Sequence, residues 1–410
     1  MTSAAVIFVL TYLVIGIQRF PKLHIGRPAG ALLGACAMVA FGVVGFDEAK
    51  SAIDLDTILF LLGMMIVLGY LHLSGFFELV ERRVLGWASS GRQLLALVVV
   101  SSGVLSALFM NDTICLMLTP LVIRVTRRIG LPPAPYLIGL AVASNCGSVC
   151  TVMGNPQNAL IGVRSGISLV PFAAGLWPVS AAALAIAYGI LAWRYRREIT
   201  SAPLAVPPPR VPPSVQRWML GSSLAAGVGM VAALSLGAPP GGAAMGAAAA
   251  VILAGSTRPR EALRHVDWSL LLFFGGLFVV MRGVSDAGIA GAIVSRIAGP
   301  LHAVTAVTLA RVGAGVTVLS QLVSNVPAVM LFMPDLAAIP AGSAHRVWLA
   351  LAAFSTLAGN LTVIGSVANV IVFESAALEG IEIGFGEYVR VGIPLTVGSL
   401  VAAWAWLARP

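Results

Sequence analysis

Asp112 stands where a carboxylate needs an explanation. It lies in the turn Met110-Asn111-Asp112-Thr113, midway along the otherwise apolar run Gln93–Ile123, and a charge at membrane depth is costly enough to be a functional hypothesis by default. It could hold a cation, exchange a proton, or cap the arm that follows by accepting from free backbone N–H groups. Amides and hydroxyls collect in similar interruptions: Asn111, Thr113, Thr151, Asn155, Gln157 and Asn158 early in the chain, Ser324, Asn325, Thr362, Ser366 and Asn369 late. With the N-termini of broken helices, such uncharged groups suit a small anion and a Na⁺. Taken singly, each serves equally well as an interhelical hydrogen bond.

Taken together, they repeat. Ser106 precedes Asn111 by five residues and Ser320 precedes Asn325 by five, while Pro120 and Pro334 each follow by nine. Ser144, Thr151, Gly154 and Asn158 recur with the same steps as Ser355, Thr362, Gly365 and Asn369. Polar residues and helix breakers at matching places in two halves of a hydrophobic chain point to a substrate site between repeats.

The elements that carry them must be membrane helices. The chain has 410 residues, 59% hydrophobic and only 10% charged, with a mean hydropathy of +0.96, far from the composition of soluble domains. No alternating ten-residue strands of barrel type occur, so the fold class is an all-α polytopic membrane protein. The net charge of +9 sits in arginines at span ends (Arg82, Arg83; Arg124, Arg127, Arg128; Arg194, Arg196, Arg197), as the positive-inside rule requires, and not in a nucleic-acid surface.

Residues 1–200 form a first repeat and 217–410 a second, inverted with respect to it, each of five transmembrane helices plus one re-entrant hairpin. The Pro-rich segment 201–216, with Pro207-Pro208-Pro209, reads as a stiff cytoplasmic linker. The basic loop with Arg19, Lys22 and Arg27 is placed in the cytoplasm and the acidic one after residue 46 outside. Ala4–Ile17 reads as a retained helix, and Gly75–Trp87 as an amphipathic interfacial helix. The first hairpin spans about 93–123, two arms of some 15 residues or roughly 22 Å, short of a bilayer core. It is followed by a broken helix at about 135–162; the second hairpin spans about 304–336 and the second broken helix about 346–373. The repeat offset is about 212, pairing Gly63 with Gly275 and Asp56 with Asp267.

Cys115, Cys146 and Cys150 fall in the interrupted stretches. A soft metalloid would favour thiolate ligands, but a cysteine in an apolar helix is more often a small buried hydrophobe. Arg311 could meet an anion or snorkel to the interface. Five histidines lie near span ends, without the nucleophile–base or metal-binding constellation an enzyme needs, and no P-loop is present. Any ATPase drive would have to come from a separate subunit.

The runs Leu108-Phe-Met-Asn-Asp-Thr113, Ser144-Asn145 with Gly154-Asn-Pro-Gln-Asn158, Ser324-Asn-Val-Pro327 and Leu357-Ala-Gly-Asn-Leu-Thr362 with Gly365-Ser-Val-Ala-Asn369 resemble the ion transporter superfamily. That superfamily includes arsenical pump membrane proteins, Na⁺/H⁺ antiporters, citrate-transporter-like proteins and divalent-anion/Na⁺ symporters. The resemblance implies a scaffold and a moving transport domain, a homodimer in the inner membrane, and elevator-like motion. It adds Gly154, Gly365 and Asn360 to these site residues. In the dicarboxylate branch both tips carry Ser-Asn-Thr, whereas here they read Asn111-Asp112-Thr113 and Asn325-Val326-Pro327. The expected function is therefore secondary transport of a small inorganic anion or oxyacid, sharpest as arsenite or antimonite efflux. No cofactor is expected; the coupling ion is H⁺, or Na⁺ held at the hairpin tips. Na⁺/H⁺ antiport and citrate-like transport are the alternatives.

Overall fold

Asp54 and Asp267 start two long apolar helices by the same device. The side chain of each accepts from the backbone N–H three residues on, Thr57 and Leu270, at 3.0 Å, satisfying a donor that the first turn leaves free. A computed structural model describes residues 2–16, 26–199, 215–254, 259–299, 305–337, 339 and 341–409. Arg19, Lys22 and nearly all of the proposed linker lie outside the described residues.

The first half contains α1 (Thr2–Gly16), α2 (Arg27–Ala40), α3 (Phe46–Ala52), α4 (Leu55–Leu73), α5 (Phe76–Trp87), α6 (Gly91–Leu108), α7 (Asn111–Arg128), α8 (Ala134–Ser148), α9 (Pro156–Ser165) and α10 (Leu169–Arg194). The second contains the same ten in the same order. They are α11 (Arg217–Ser235), α12 (Pro240–Ala254), α13 (Pro259–Leu263), α14 (Trp268–Asp286), α15 (Ile289–Ile297), α16 (Ala306–Val323), α17 (Asn325–Ala337), α18 (Ala341–Ala358), α19 (Val367–Leu378) and α20 (Phe385–Leu407). Among the described residues, seven helices are long and apolar enough to cross a membrane.

The halves interlock by exchanging helices: α12 packs on α4, and α2 on α14. Gly63 lies so close to the Ala244 backbone that a Cβ would fall 2.5 Å from its carbonyl carbon, and Gly276 meets Ala31 in the same way at 2.7 Å. Small residues at these contacts let the backbones touch. Asp56 meets Gly241 at the starts of α4 and α12, ahead of Gly63 and Ala244, and Gly283 meets Met38 further along α14 and α2, so each exchanged pair runs parallel.

These contacts also correct the repeat register. Gly63 answers Gly276 and not Gly275, and Asp54 answers Asp267, giving an offset of 213. Asp56 instead accepts from Gly241 N at 3.0 Å.

The hairpin arms are longer than their apolar stretches suggest. α6 and α7 each have 18 residues, about 27 Å at 1.5 Å per residue. Ser90 caps α6 outside the apolar run, through Gln93 N at 3.2 Å, and α7 continues through the polar end Arg124–Arg128. Phe109 and Met110 are extended, and this makes the turn. Both broken helices appear: residues 149–155 separate α8 from α9, and residues 359–366, with a short 3-10 turn Val363–Gly365, separate α18 from α19.

Candidate functional site

Each hairpin tip is fastened to the unwound segment of a broken helix. Asn111 N donates to Gly154 O at 2.9 Å, and Thr151 Oγ1 donates to Ala107 O. In the second half the counterpart of Ala107 is Gln321, and Thr362 Oγ1 donates to Gln321 Oε1 at 2.9 Å.

The breaks are braced by amides. Asn158 Nδ2 donates to the carbonyls of Ser148 and Thr151, both at 3.1 Å. Asn369 Nδ2 donates to those of Gly359 and Thr362, at 2.8 and 3.2 Å. All three positions are displaced by 211, so the duplication extends to single hydrogen bonds. Carbonyls freed by unwinding would otherwise be buried without a partner, at about 1–3 kcal/mol each.

Asn145 joins the halves. Its Nδ2 donates to Asn360 Oδ1 at 2.9 Å and to Asn369 Oδ1 at 3.1 Å; its Oδ1 accepts from Asn111 Nδ2 and Ser366 Oγ, both at 3.0 Å. Its counterpart Thr356 donates to Asn158 Oδ1 at 3.4 Å and accepts from Asn155 Nδ2 at 3.1 Å and Gln157 Nε2 at 3.2 Å. Four further buried oxygens are paired by the duplication: Ser106 Oγ and Ser320 Oγ, Asn111 Oδ1 and Asn325 Oδ1. Among the described residues none of the four has a hydrogen-bond partner, a rarity that asks for a ligand or a function.

A cavity of about 150 Å³ lies between the two tips. One wall is made of tip and break residues: Asn111, Asp112, Gln157, Ser324, Asn325 and Ser366. The other is made by the starts of α2 and α14, with Arg27, Asp267, Phe273 and Phe274. Asp112 faces the N-terminal backbone of α19 at Ala368 and feels both Arg27 and Asp267. Ser324 is the one non-glycine residue with positive φ among those described, at 73° with ψ 164°, a region that essentially only glycine adopts without strain.

The other sequence-derived site residues stand behind this wall. Thr151, Asn155, Asn158, Asn360, Thr362 and Asn369 brace the breaks. Gly154 supplies the carbonyl that holds Asn111, and Gly365 packs against Gln321. Thr113 lies in the first turn of α7, outside the lining. Cys115 donates to Ser144 Oγ at 3.1 Å and Cys146 accepts from Asn360 Nδ2 at 3.4 Å; neither they nor Cys150 line the cavity. Arg311 is exposed, with its guanidinium beside Gly299. The residues that sequence reading left out of the site are Arg27, Asp267, Asn145 and Thr356.

A family profile described as Citrate transporter matches residues 10–353. The chain belongs to the citrate transporter family. A silicon efflux transporter of Oryza sativa subsp. japonica is 33% identical over 447 aligned positions, covering 92% of this chain and 91% of that protein. A putative transporter, arsB, of Dictyostelium discoideum is 33% identical over 150 positions, 37% of this chain and 27% of that one. The crystal structure of the Alcanivorax borkumensis YdaH transporter aligns with a TM-score of 0.55 at 14% identity, over 99% of this chain and 96% of that one, a likeness of fold. This family member is a multi-pass membrane transporter and not an enzyme.

Proposed function

We propose that the chain is a secondary active exporter of a small inorganic oxyacid, with arsenite or antimonite moved against protons as the sharpest version. The observation that carries this reading is the cavity itself. It is lined by amides and hydroxyls, the carboxylates of Asp112 and Asp267, Arg27 and an apolar flank with Phe273 and Phe274, and at about 150 Å³ it falls below the roughly 300–1,000 Å³ of pockets for drug-sized ligands. The relative that bears the name silicon efflux transporter supports the same cargo class, since silicic and arsenous acids are both small hydroxides.

Elevator-like motion is supported by α14, whose first turns line the cavity while its last turns line a second cleft of about 410 Å³ with Met281, Arg282 and Ser285. The parallel pairing of α2 with α14 and of α4 with α12 is what inverted repeats of residues 1–200 and 217–410 would produce. Asp112 is assigned the coupling ion, H⁺. The four unpartnered Ser and Asn oxygens favour a second reading, in which Na⁺ is bound at the tips and the chain is a Na⁺/H⁺ antiporter. We place the protein in the inner membrane as a homodimer.

Expression in cells lacking their own arsenite exporter tests the proposal. Lower arsenite accumulation with the wild type, and not with Asp112→Asn, is expected. Unchanged accumulation of arsenite, antimonite and silicic acid would remove it.

A further inference from the structure

On the wall of tips and breaks four helices begin at the cavity, α7 at Asn111, α9 at Pro156, α17 at Asn325 and α19 at Val367, opposite the starts of α2 and α14. Converging N-termini bring free N–H groups and positive dipole ends together, and this ordinarily attracts an anionic solute. At one of the four the anion already belongs to the chain, because Asp112 shares the cavity lining with Ser366 and Val367 at the N-terminus of α19. The second hairpin has no equivalent: the residue displaced by 214 from Asp112 is Val326, also in the lining.

The remaining charges do not reverse the sign. Arg27, at the start of α2, faces Asp112 and Glu374. Asp267 caps α14 and faces Asp112 from the same wall. One guanidinium thus stands against two lining carboxylates, so the lining is not net positive.

The geometry points to Asp112 as a built-in counter-anion that sets the charge class of the cargo. Seated on the N-terminus of α19, with Arg27 and Asp267 fixing the local charge, it excludes anions and leaves the cavity to an uncharged, hydroxyl-bearing solute. This rests on the oxyacid reading above. It narrows that reading to metalloid hydroxides such as arsenous or silicic acid, as against phosphate, arsenate or citrate. Arg27 and Asp267 become specificity-determining residues on the wall opposite the hairpin tips.

Ligand-dependent thermal stabilisation of the full-length protein in detergent tests this, because a ligand that binds only the folded state raises the melting temperature. Arsenite probes the uncharged class, arsenate and phosphate the anions. The wild type should respond to arsenite and not to the anions. Asp112→Asn and Asp112→Ser should gain binding of arsenate or phosphate by at least tenfold, Asp267→Asn by less, and Asp112→Glu not at all. Anion binding by the wild type, or folded Asp112 and Asp267 variants that still ignore both anions, would overturn the inference. A wild type that binds neither arsenite nor silicic acid would sink the oxyacid reading, while the anion arm still judges Asp112 separately.

Discussion

Asn145 and Asn369 lie 224 positions apart and are joined directly, Asn145 Nδ2 donating to Asn369 Oδ1 at 3.1 Å. Thr356 and Asn158, the residues that answer them across the duplication, are joined as well, at 3.4 Å. Each half therefore holds the brace of the other half's broken helix. Removing Asn145 leaves Asn111, Asn360, Asn369 and Ser366 each short of a buried partner, at about 1–3 kcal/mol for such groups. Asn145→Ala is expected to lower stability by about 3 kcal/mol or more and to abolish transport, as read by thermal unfolding and flux.

Ser324 holds a glycine-type conformation at the second hairpin tip, a strain worth about 1–3 kcal/mol. Ser324→Gly should relieve it, with part of the gain offset by the freer unfolded chain. A net stabilisation of about 1 kcal/mol is expected in chemical or thermal melts. A destabilised variant would mean that the Ser324 side chain contributes more than its backbone costs.

The close approach of α6 and α8 depends on Gly147, where a Cβ would collide with the Gly103 carbonyl oxygen. Gly147→Ala is expected to cost about 1–3 kcal/mol, the usual range for overpacking. Gly189, in α10, has nothing within 4 Å of an added Cβ. Gly189→Ala should therefore be neutral or mildly stabilising under the same melt.

His265 lies outside the spans, with its ring 4.7 Å from that of His72. Burial, and then His72, hold it below the ordinary histidine range. It is therefore neutral in the folded protein where an unfolded histidine would take up a proton, near pH 6.5. Stability from this site is present above that pH and is lost as the pH falls through it. Melting temperatures should decline between pH 7 and pH 5.5, and His265→Gln should flatten the slope even where it lowers the baseline.

Much of this architecture was legible because the duplication is written in spacing. Asn111 and Asn325, and Asn158 and Asn369, mark both tips and both breaks, since an unwound membrane helix needs an amide to cover its carbonyls. Asn145 was hidden for the converse reason: its counterpart is a threonine, and all its partners but Asn111 lie more than 200 residues away. Arg27 reads as a loop residue and Asp267 only as the partner of Asp56 in the repeat, and only the exchange of α2 and α14 between halves brings them to Asp112. The register slip at Gly276 has a similar origin, because the offset drifts from 213 to 214 to 211 as connections change length.

In the proposed function the Asp112 cavity moves a small oxyacid in exchange for protons. The most direct measurement is uptake into proteoliposomes under imposed proton or Na⁺ gradients, with arsenite, antimonite, citrate and phosphate as cargo, for the wild type and Asp112→Asn. Arsenite or antimonite accumulation driven by the proton gradient, and lost in Asp112→Asn, is the expected result. Na⁺/H⁺ exchange that is indifferent to every solute would contradict the account and leave the antiporter reading in its place.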